Sequence, residues 1–522
     1  MSKQILFSSF LLFSAVGFAQ NQVPIISNVA VNVPWGATHA DITFDVSDTE
    51  NDPMEIKLLL SDNGGQTHIA HVGTITGDVG FPVQSGTAKH IVWNFDTLSS
   101  VYNYSIRLVA DDRIVPNIQD IVDAVDSNRL RSDLEYISGV RHYLTNPIHL
   151  AEVKDTIESL FVDAGLETRR HDFERAAGIP GQNIIGRKPG LGSEDHTFII
   201  DAHFDSVDDA PGADDNGSGV VGFLEALRVL KPYNFTKSIR FIGFDFEESA
   251  VNSVGTWGSL QYCNNQIPAW ETQDGVINFE MIGYYTNEPN TQQVPTGFNV
   301  FFPTQNAILL ADSFRGNFIT DVGDDESIAF ENDFESLSNQ YVPDLKVIKL
   351  NLPQNGLIAL DFRRSDHANF WDKDVPALLI TDGANFRNLK YHTPGDTLGN
   401  LNFTFMSNVV KASVATVAAL AGIQHSSYKD ADIIPSGIPT STVSCPIQVY
   451  PVPVKDFLNI RAGNCFEKGF SLSILDLQGK TIFEEKATSK NYQFDTKKLA
   501  KGVFFLQLKS GNDVSVKKII LE

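Results

Sequence analysis

The sequence predicts an α/β layer fold in its middle, with an all-β module at each end. Three observations carry that prediction. Between about residues 117 and 430, short apolar strands alternate with stretches of helical spacing, the pattern of helices layered on a sheet. Residues 22 to about 112 instead alternate apolar and polar side chains between turn signals, as half-buried strands do. A second run of short alternating segments follows Cys445. At 522 residues the chain has room for about three domains.

Taken in order, the chain opens on an address. Lys3 precedes the apolar run Ile5 to Val16, and Gly17-Phe18-Ala19 is a small-x-small cleavage site, so residues 1–19 read as a secretory signal peptide. The run is shorter than the ~20 residues a membrane span needs. No later segment reads as long and apolar enough to span, so the mature chain is read without a transmembrane segment. In the module assigned to 20–115, Ala40 to Val46 and Tyr104 to Val109 alternate with period two. Asp62-Asn63-Gly64-Gly65 and Thr76-Gly77-Asp78 mark turns, and Trp93 is a natural core aromatic. His39, His68, His71 and His90 show no ligand-like grouping and read as surface or sandwich residues.

In the middle segment, 116–432, the runs Thr197 to Ile200, Ser238 to Phe244, Gly275 to Phe279 and Pro376 to Thr381 read as buried strands. Ser218 to Leu230 reads as a helix with Val221, Leu224 and Leu227 on one face. Pro, Ser and Thr make 433–444 a linker. The C-terminal β-domain, 445–522, holds strands at Phe470 to Leu475 and Gly502 to Leu508, with a turn at Asp476 to Lys480.

Charge narrows the function. The net charge is −24, which argues against a nucleic-acid partner and against a polybasic membrane-surface protein. The excess is not evenly spread. Residues 20–112 hold 3 basic and 11 acidic side chains, and the segment from Cys445 holds 12 and 8. The middle, 113–444, holds 24 basic against 45 acidic. Three cysteines are too few for a disulfide scaffold. An oxidising compartment would allow Cys445 and Cys465 to pair, leaving Cys263 as a buried thiol on a helix.

The middle segment carries the chemistry. Its acidic and histidine clusters fall where buried strands stop, the edge where sites assemble in open α/β sheets. His203 and Asp205 stand two apart, so on an extended chain both face one way. That suits a carboxylate orienting a metal-bound imidazole. Pro211 to Gly219 is a Gly-rich turn with consecutive carboxylates, Asp214 and Asp215, which repel unless a cation compensates. Glu247-Glu248 is a second such pair, one side chain free to bind metal and the other to address a water. His392, within Tyr391 to Thr397, adds an imidazole from a loop. Mixed imidazole and carboxylate ligands suit zinc, and a shared carboxylate would bring two ions together.

These stretches, in this order, resemble the di-zinc aminopeptidases of metallopeptidase family 28. The matching residues are Gly181 to Gly186, Asp201 to Ser206, Pro211 to Gly219, Phe246 to Glu248, Phe279 to Gly283, Ser365-Asp366-His367, and Tyr391 to Thr397. The resemblance implies a central mixed β-sheet flanked by helices, of the zinc-exopeptidase type. It implies two Zn2+ per catalytic domain, one on His203 and Glu280, the other on Glu248 and His392, with Asp215 bridging. Glu247 would be the general base and Asp205 the orienting carboxylate of an enzyme that removes N-terminal residues from peptide or protein substrates. The family commonly has Asp where Glu280 stands, and the extra methylene bears on the metal or the amine pocket. The resemblance gives Ser365-Asp366-His367 no chemical role.

The ends have resemblances of their own. Residues 20–115 resemble a fibronectin type III or immunoglobulin-like sandwich. The C-terminal domain resembles the sorting domain of the type IX secretion system, through Tyr450-Pro451-Val452-Pro453, the turn Asp476 to Lys480, Leu499 to Phe505 and Lys517-Lys518-Ile519-Ile520. The family usually has Asn where Val452 stands. This resemblance implies handling by the type IX machinery, with export across the outer membrane to the cell surface or medium. Three other readings compete: a carboxypeptidase or a glutaminyl-cyclase-like enzyme on the same fold, and a non-catalytic cell-surface binding protein. The Gly212 to Gly219 turn and Glu247-Glu248 favour the peptidase over the first two. A full set of ligand candidates argues against the third.

Overall fold

The computed structural model describes residues 21–33, 38–63, 65–70, 72–95, 104–175, 178–248, 256–433, 447–463, 466, 469–476, 479–511 and 513–521. The signal-peptide reading and the pairing of Cys445 with Cys465 concern residues outside this set. The chain has an α/β region and all-β sheets toward both ends, the fold classes the sequence patterns predict.

The N-terminal module is two four-stranded sheets. One runs Ile25–Asn32, His39–Ser47, Gly86–Asn94, Thr74–Gly77, and the other Ser426–Asp432, Ser105–Asp111, Met54–Ser61, Gly80–Val83. Inward residues of both sheets, among them Phe44, Ile56, Trp93 and Leu108, form one core. Trp93 is fully buried, and its Nε1 donates to Val72 O at 2.8 Å. The edge strand Ser426–Asp432 comes from the end of the segment read as 116–432. It pairs antiparallel with Ser105–Asp111, Arg107 makes a two-pronged ion pair with Asp430, and Ile433 enters the sandwich core. Its sequence, Ser-Ser-Tyr-Lys-Asp-Ala-Asp, carries no period-two apolar pattern that would mark it as part of the sandwich. His68 is buried against the middle region: its N–H donates to Glu194 Oε2 at 2.6 Å.

The middle region is built on an eight-stranded mixed sheet. Its spatial order is Val347–Leu352, Ile319–Asp324, Ala377–Thr381, Thr272–Phe279, Ser193–His203, Lys237–Phe244, Ile179–Lys188, Glu167–Arg175. The central pairs are parallel, and the last two strands are antiparallel additions. Both faces are covered, which is why the central strands read as continuous apolar runs. Phe198, Ile200, Phe241 and Ile277 face a layer built on the helices Pro147–Asp163, Gly219–Leu230, Ile328–Tyr341 and Phe403–Leu420. Ile199, Ile242, Phe244 and Val276 face the other layer, with Tyr262 and Trp371 from the helices Trp257–Asn265 and His367–Trp371. Cys263 is buried in the first of these two helices.

One expectation needs correcting. The helix Phe403–Leu420 is long and apolar enough to cross a membrane by length and composition. Its apolarity has a different cause: 72% of it is buried within the fold, where it packs against Gly219–Leu230 and Ile328–Tyr341. The C-terminal domain is again two small antiparallel sheets. Leu458, Ile460, Leu472, Leu506 and Ile519 lie in its core.

Candidate metal centre

Adjacent strands of the middle sheet stop at one edge, and their last residues meet there. His203 ends Ser193–His203 and lies in register with Phe244 of the neighbouring strand. Glu247 and Glu248 follow that neighbour. Glu280 follows Thr272–Phe279 on the other side, and its N–H donates to Ile380 O at 3.1 Å. Asp215 lies in the turn Ala213–Ser218 that leads into Gly219–Leu230, and its peptide bond to Asn216 is cis. His392 arrives on the loop beyond Ala377–Thr381.

The structure thus brings together all seven residues singled out in the sequence. His203 Nε2 is 3.4 Å from Asp215 Oδ1 and 3.2 Å from Glu280 Oε2. His392 Nε2 is 3.0 Å from both Asp215 Oδ2 and Glu248 Oε2. Asp215 therefore turns one oxygen to each trio. In each trio the candidate ligand atoms lie within 4.8 Å of one another. Glu247 Oε2 stands 4.0 Å from His203 Nε2. Asp205 Oδ1 is 3.4 Å from His203 Nδ1. The two Asp205 oxygens also accept the N–H groups of Glu247 and Glu248, each at 3.1 Å.

These groups fit a cation. His203 Nδ1 and Nε2, Asp215 Oδ2, Glu248 Oε1 and His392 Nε2 are buried with no hydrogen-bond partner, whereas buried polar atoms nearly always have one. Their electrostatics agree. Burial, reinforced by the charge of Asp215, pushes Glu248 up to about 8. Burial likewise raises Glu247 well above the ordinary carboxylate range. Burial acts to lower His203, yet the carboxylates of Glu280 and Glu247 hold it well above its ordinary value. Crowded carboxylates here compete for positive charge, and the mixture of imidazole and carboxylate donors suits zinc.

Other residues hold the candidate ligands in place, and sequence reasoning gave them no role. Ser365 Oγ donates to Glu280 Oε2 at 2.7 Å. Asp396 accepts the N–H groups of Asp214 and Asp215 at 3.0 and 3.1 Å. Asn216 Nδ2 donates to Phe279 O at 2.7 Å, and its Oδ1 accepts Met281 N–H. Buried Arg141 donates to Phe204 O, Pro211 O and Gly212 O, tying the His203 loop to the Asp215 loop. Ser365 and Asp396 lay inside recognised stretches; Arg141 carried no local signal.

Beside Glu280 and Tyr391 opens a cavity walled by Val294, Phe298, Phe318, Leu350, Leu379 and Phe386. The Tyr391 ring stacks on His392 with centroids 3.7 Å apart, and Arg364 Nη2 donates to its hydroxyl at 2.9 Å.

Comparison with known proteins bears on this centre. Residues 183–356 match the model of peptidase family M28, and residues 448–522 match that of a secretion system C-terminal sorting domain. The uncharacterized protein YfbL of Escherichia coli is 33% identical over 313 residues, which cover 56% of this chain and 90% of that protein. Aminopeptidase YwaD of Bacillus subtilis is 41% identical over 105 residues, 20% of this chain and 22% of that protein. The crystal structure of the LapA aminopeptidase of Legionella pneumophila is similar with a TM-score of 0.42 and 21% identity, over 58% of this chain and 74% of that one. With a third of its residues shared across nearly the whole Escherichia coli protein, and the family match spanning the strands that carry Glu247, Glu248 and Glu280, the chain belongs to peptidase family M28.

Proposed function

We propose that this chain is a secreted zinc aminopeptidase that removes N-terminal residues from peptides or proteins. The observation that carries the proposal is the divided carboxylate of Asp215, one oxygen toward His203 and one toward His392. His203, Glu280 and Asp215 would hold one zinc, and Glu248, His392 and Asp215 the other. Zinc there would supply Lewis acidity, polarising a carbonyl and lowering the pKa of a water. Aminopeptidase YwaD supports peptides as substrates by its name.

The chain's own groups divide the remaining work. Glu247 is the base: its carboxylate takes the proton of the attacking water and returns it to the leaving amine. Asp205 orients both a metal ligand and the base, since it faces His203 Nδ1 and holds the backbone of Glu247. The apolar cavity beside Glu280 receives the side chain of the N-terminal residue. That leaves the cationic α-amine against the carboxylates at the cavity mouth. The leaving portion then runs over Glu247, toward the opposite flank of the sheet. Residues 448–522 carry the type IX export signal, and the signal peptide proposed for residues 1–19 would take the chain to the periplasm first.

Aminoacyl-anilides and their N-blocked counterparts test the reading. We expect hydrolysis of the free-amine substrates alone, loss with a chelator and recovery with zinc. We expect Glu247→Gln to lose turnover by about 10²–10⁴-fold while retaining metal. Cleavage of only the blocked substrates would overturn the aminopeptidase reading, and near-normal turnover of the variant would overturn the base.

A further inference from the structure

Arg175 ends the outermost strand of the sheet, at the same edge as the metal centre and on the flank away from the apolar cavity. It is 3% exposed. Its Nε and Nη1 are buried without a hydrogen-bond partner, and among the described residues no carboxylate stands within ion-pair distance of it. A buried guanidinium without an anion is costly. Two aromatic rings hold it instead. Its Cζ stands 5.2 Å from the ring centroids of both Tyr143 and Phe246, and those rings pack edge to face at 5.2 Å. The three centres are mutually 5.2 Å apart, so both rings lie on one side of the guanidinium and neither satisfies its N–H groups. Phe246 immediately precedes Glu247.

We propose that Arg175 is a binding residue for a carboxylate on the leaving portion of the substrate, and so sets a preference for peptide length or for acidic residues beyond the cleaved bond. The inference rests on the aminopeptidase reading, which directs the leaving portion over Glu247. One strand, Ile179–Lys188, lies between the strand that leads to Glu247 and the strand that ends at Arg175, so the two are two steps apart, about 10 Å at ~4.8 Å per step. An extended peptide advances ~3.3 Å per residue, so the carboxylate sits about three residues beyond the scissile bond. A terminal carboxylate and an acidic side chain at that position offer the same chemistry.

The test compares kcat/KM for Leu-(Ala)n peptides, n from one to five, as free acids and as amides. A second arm uses the amidated peptides with Glu in place of each Ala in turn. The general negative charge of the domain disfavours acids at every length, so a local cation shows as a maximum. We expect the acid-to-amide ratio, or the Glu-to-Ala ratio, to peak near the third residue by about tenfold, chiefly in KM. Arg175→Gln should flatten the peak with kcat on a leucyl-anilide unchanged, and Arg175→Lys should restore part of it. Flat ratios in both arms for the native enzyme, or a peak that survives in Arg175→Gln, would overturn the proposal. The native profile decides even where the Gln variant fails to fold. Failure to cleave any of these peptides would instead count against the aminopeptidase reading.

Discussion

Ser365→Ala probes how Glu280 is held. A glutamate has one more rotatable bond than the aspartate common in the family, and Ser365 Oγ pins its carboxylate at 2.7 Å. Both residues are buried, Ser365 at 0% and Glu280 at 7% exposure, so water does not replace the lost donor freely. A hydrogen bond to a charged group is worth about 1.5–3 kcal/mol, or about 10- to 150-fold in a dissociation constant. Loss of a partner that orients a metal ligand weakens binding about 10- to 100-fold, which agrees. The weakening should be confined to the trio of His203, Asp215 and Glu280, because Ser365 makes no recorded hydrogen bond to Glu248 or His392. Titrating metal-free enzyme with zinc against a chromophoric chelator resolves the two affinities. We expect one constant to weaken in that range and the other to stay within about threefold. Two unchanged constants would refute the reasoning. Equal weakening of both would show general loosening rather than a released carboxylate.

Three more outcomes follow from the same structure. Burial pushes buried Glu331 up to about 7, so the folded chain holds a proton that the unfolded chain gives up. Its contribution is full below the ordinary pKa and is lost as pH rises through 7, up to about 3 kcal/mol. Glu331→Gln should therefore gain stability over the native protein at pH 8 relative to pH 5, and parallel melting profiles would contradict this. Stripping metal with a chelator should lower the melting temperature, since a ligand at a thousand times its Kd adds about 4 kcal/mol; zinc should restore it, and an unchanged melt would argue against a metal held by these carboxylates. A chain ending at Gly422 should lose the N-terminal sandwich while one ending at Ile433 keeps it, read by limited proteolysis between residues 21 and 112; equal protection would show that the strand Ser426–Asp432 is dispensable.

What was legible in the sequence was what is local. Phe198 to Ile200 and Phe241 to Phe244 are uncharged because both faces of their strands are covered, and the chemistry begins where cover ends, at His203 and Glu247. The doubled aspartates announce a counter-charge because two carboxylates in a tight turn repel. The supports were not legible. Asp396 serves Asp215 from 181 residues away, and Ser365 serves Glu280 from 85, so nothing in either neighbourhood marks the partnership. The cavity wall was hidden for the same reason: Phe298, Phe318, Leu350 and Leu379 come from separate elements and read singly as core. The reach of the strand Ser426–Asp432 into the N-terminal sheet is a long-range pairing with no spacing signal.

That strand has a consequence for how the protein is made. The sandwich opens with Ile25 and is finished by Ile433, so the catalytic region is threaded through it as an insertion. The eighth strand of the N-terminal module is not available until the α/β region has been synthesised. Until it arrives, the seven strands already made leave the edge of Ser105–Asp111 open as a template for wrong pairing, and Ser426–Asp432 is what covers it. The sandwich therefore receives its last strand only just before residues 448–522, which match the sorting domain, are made.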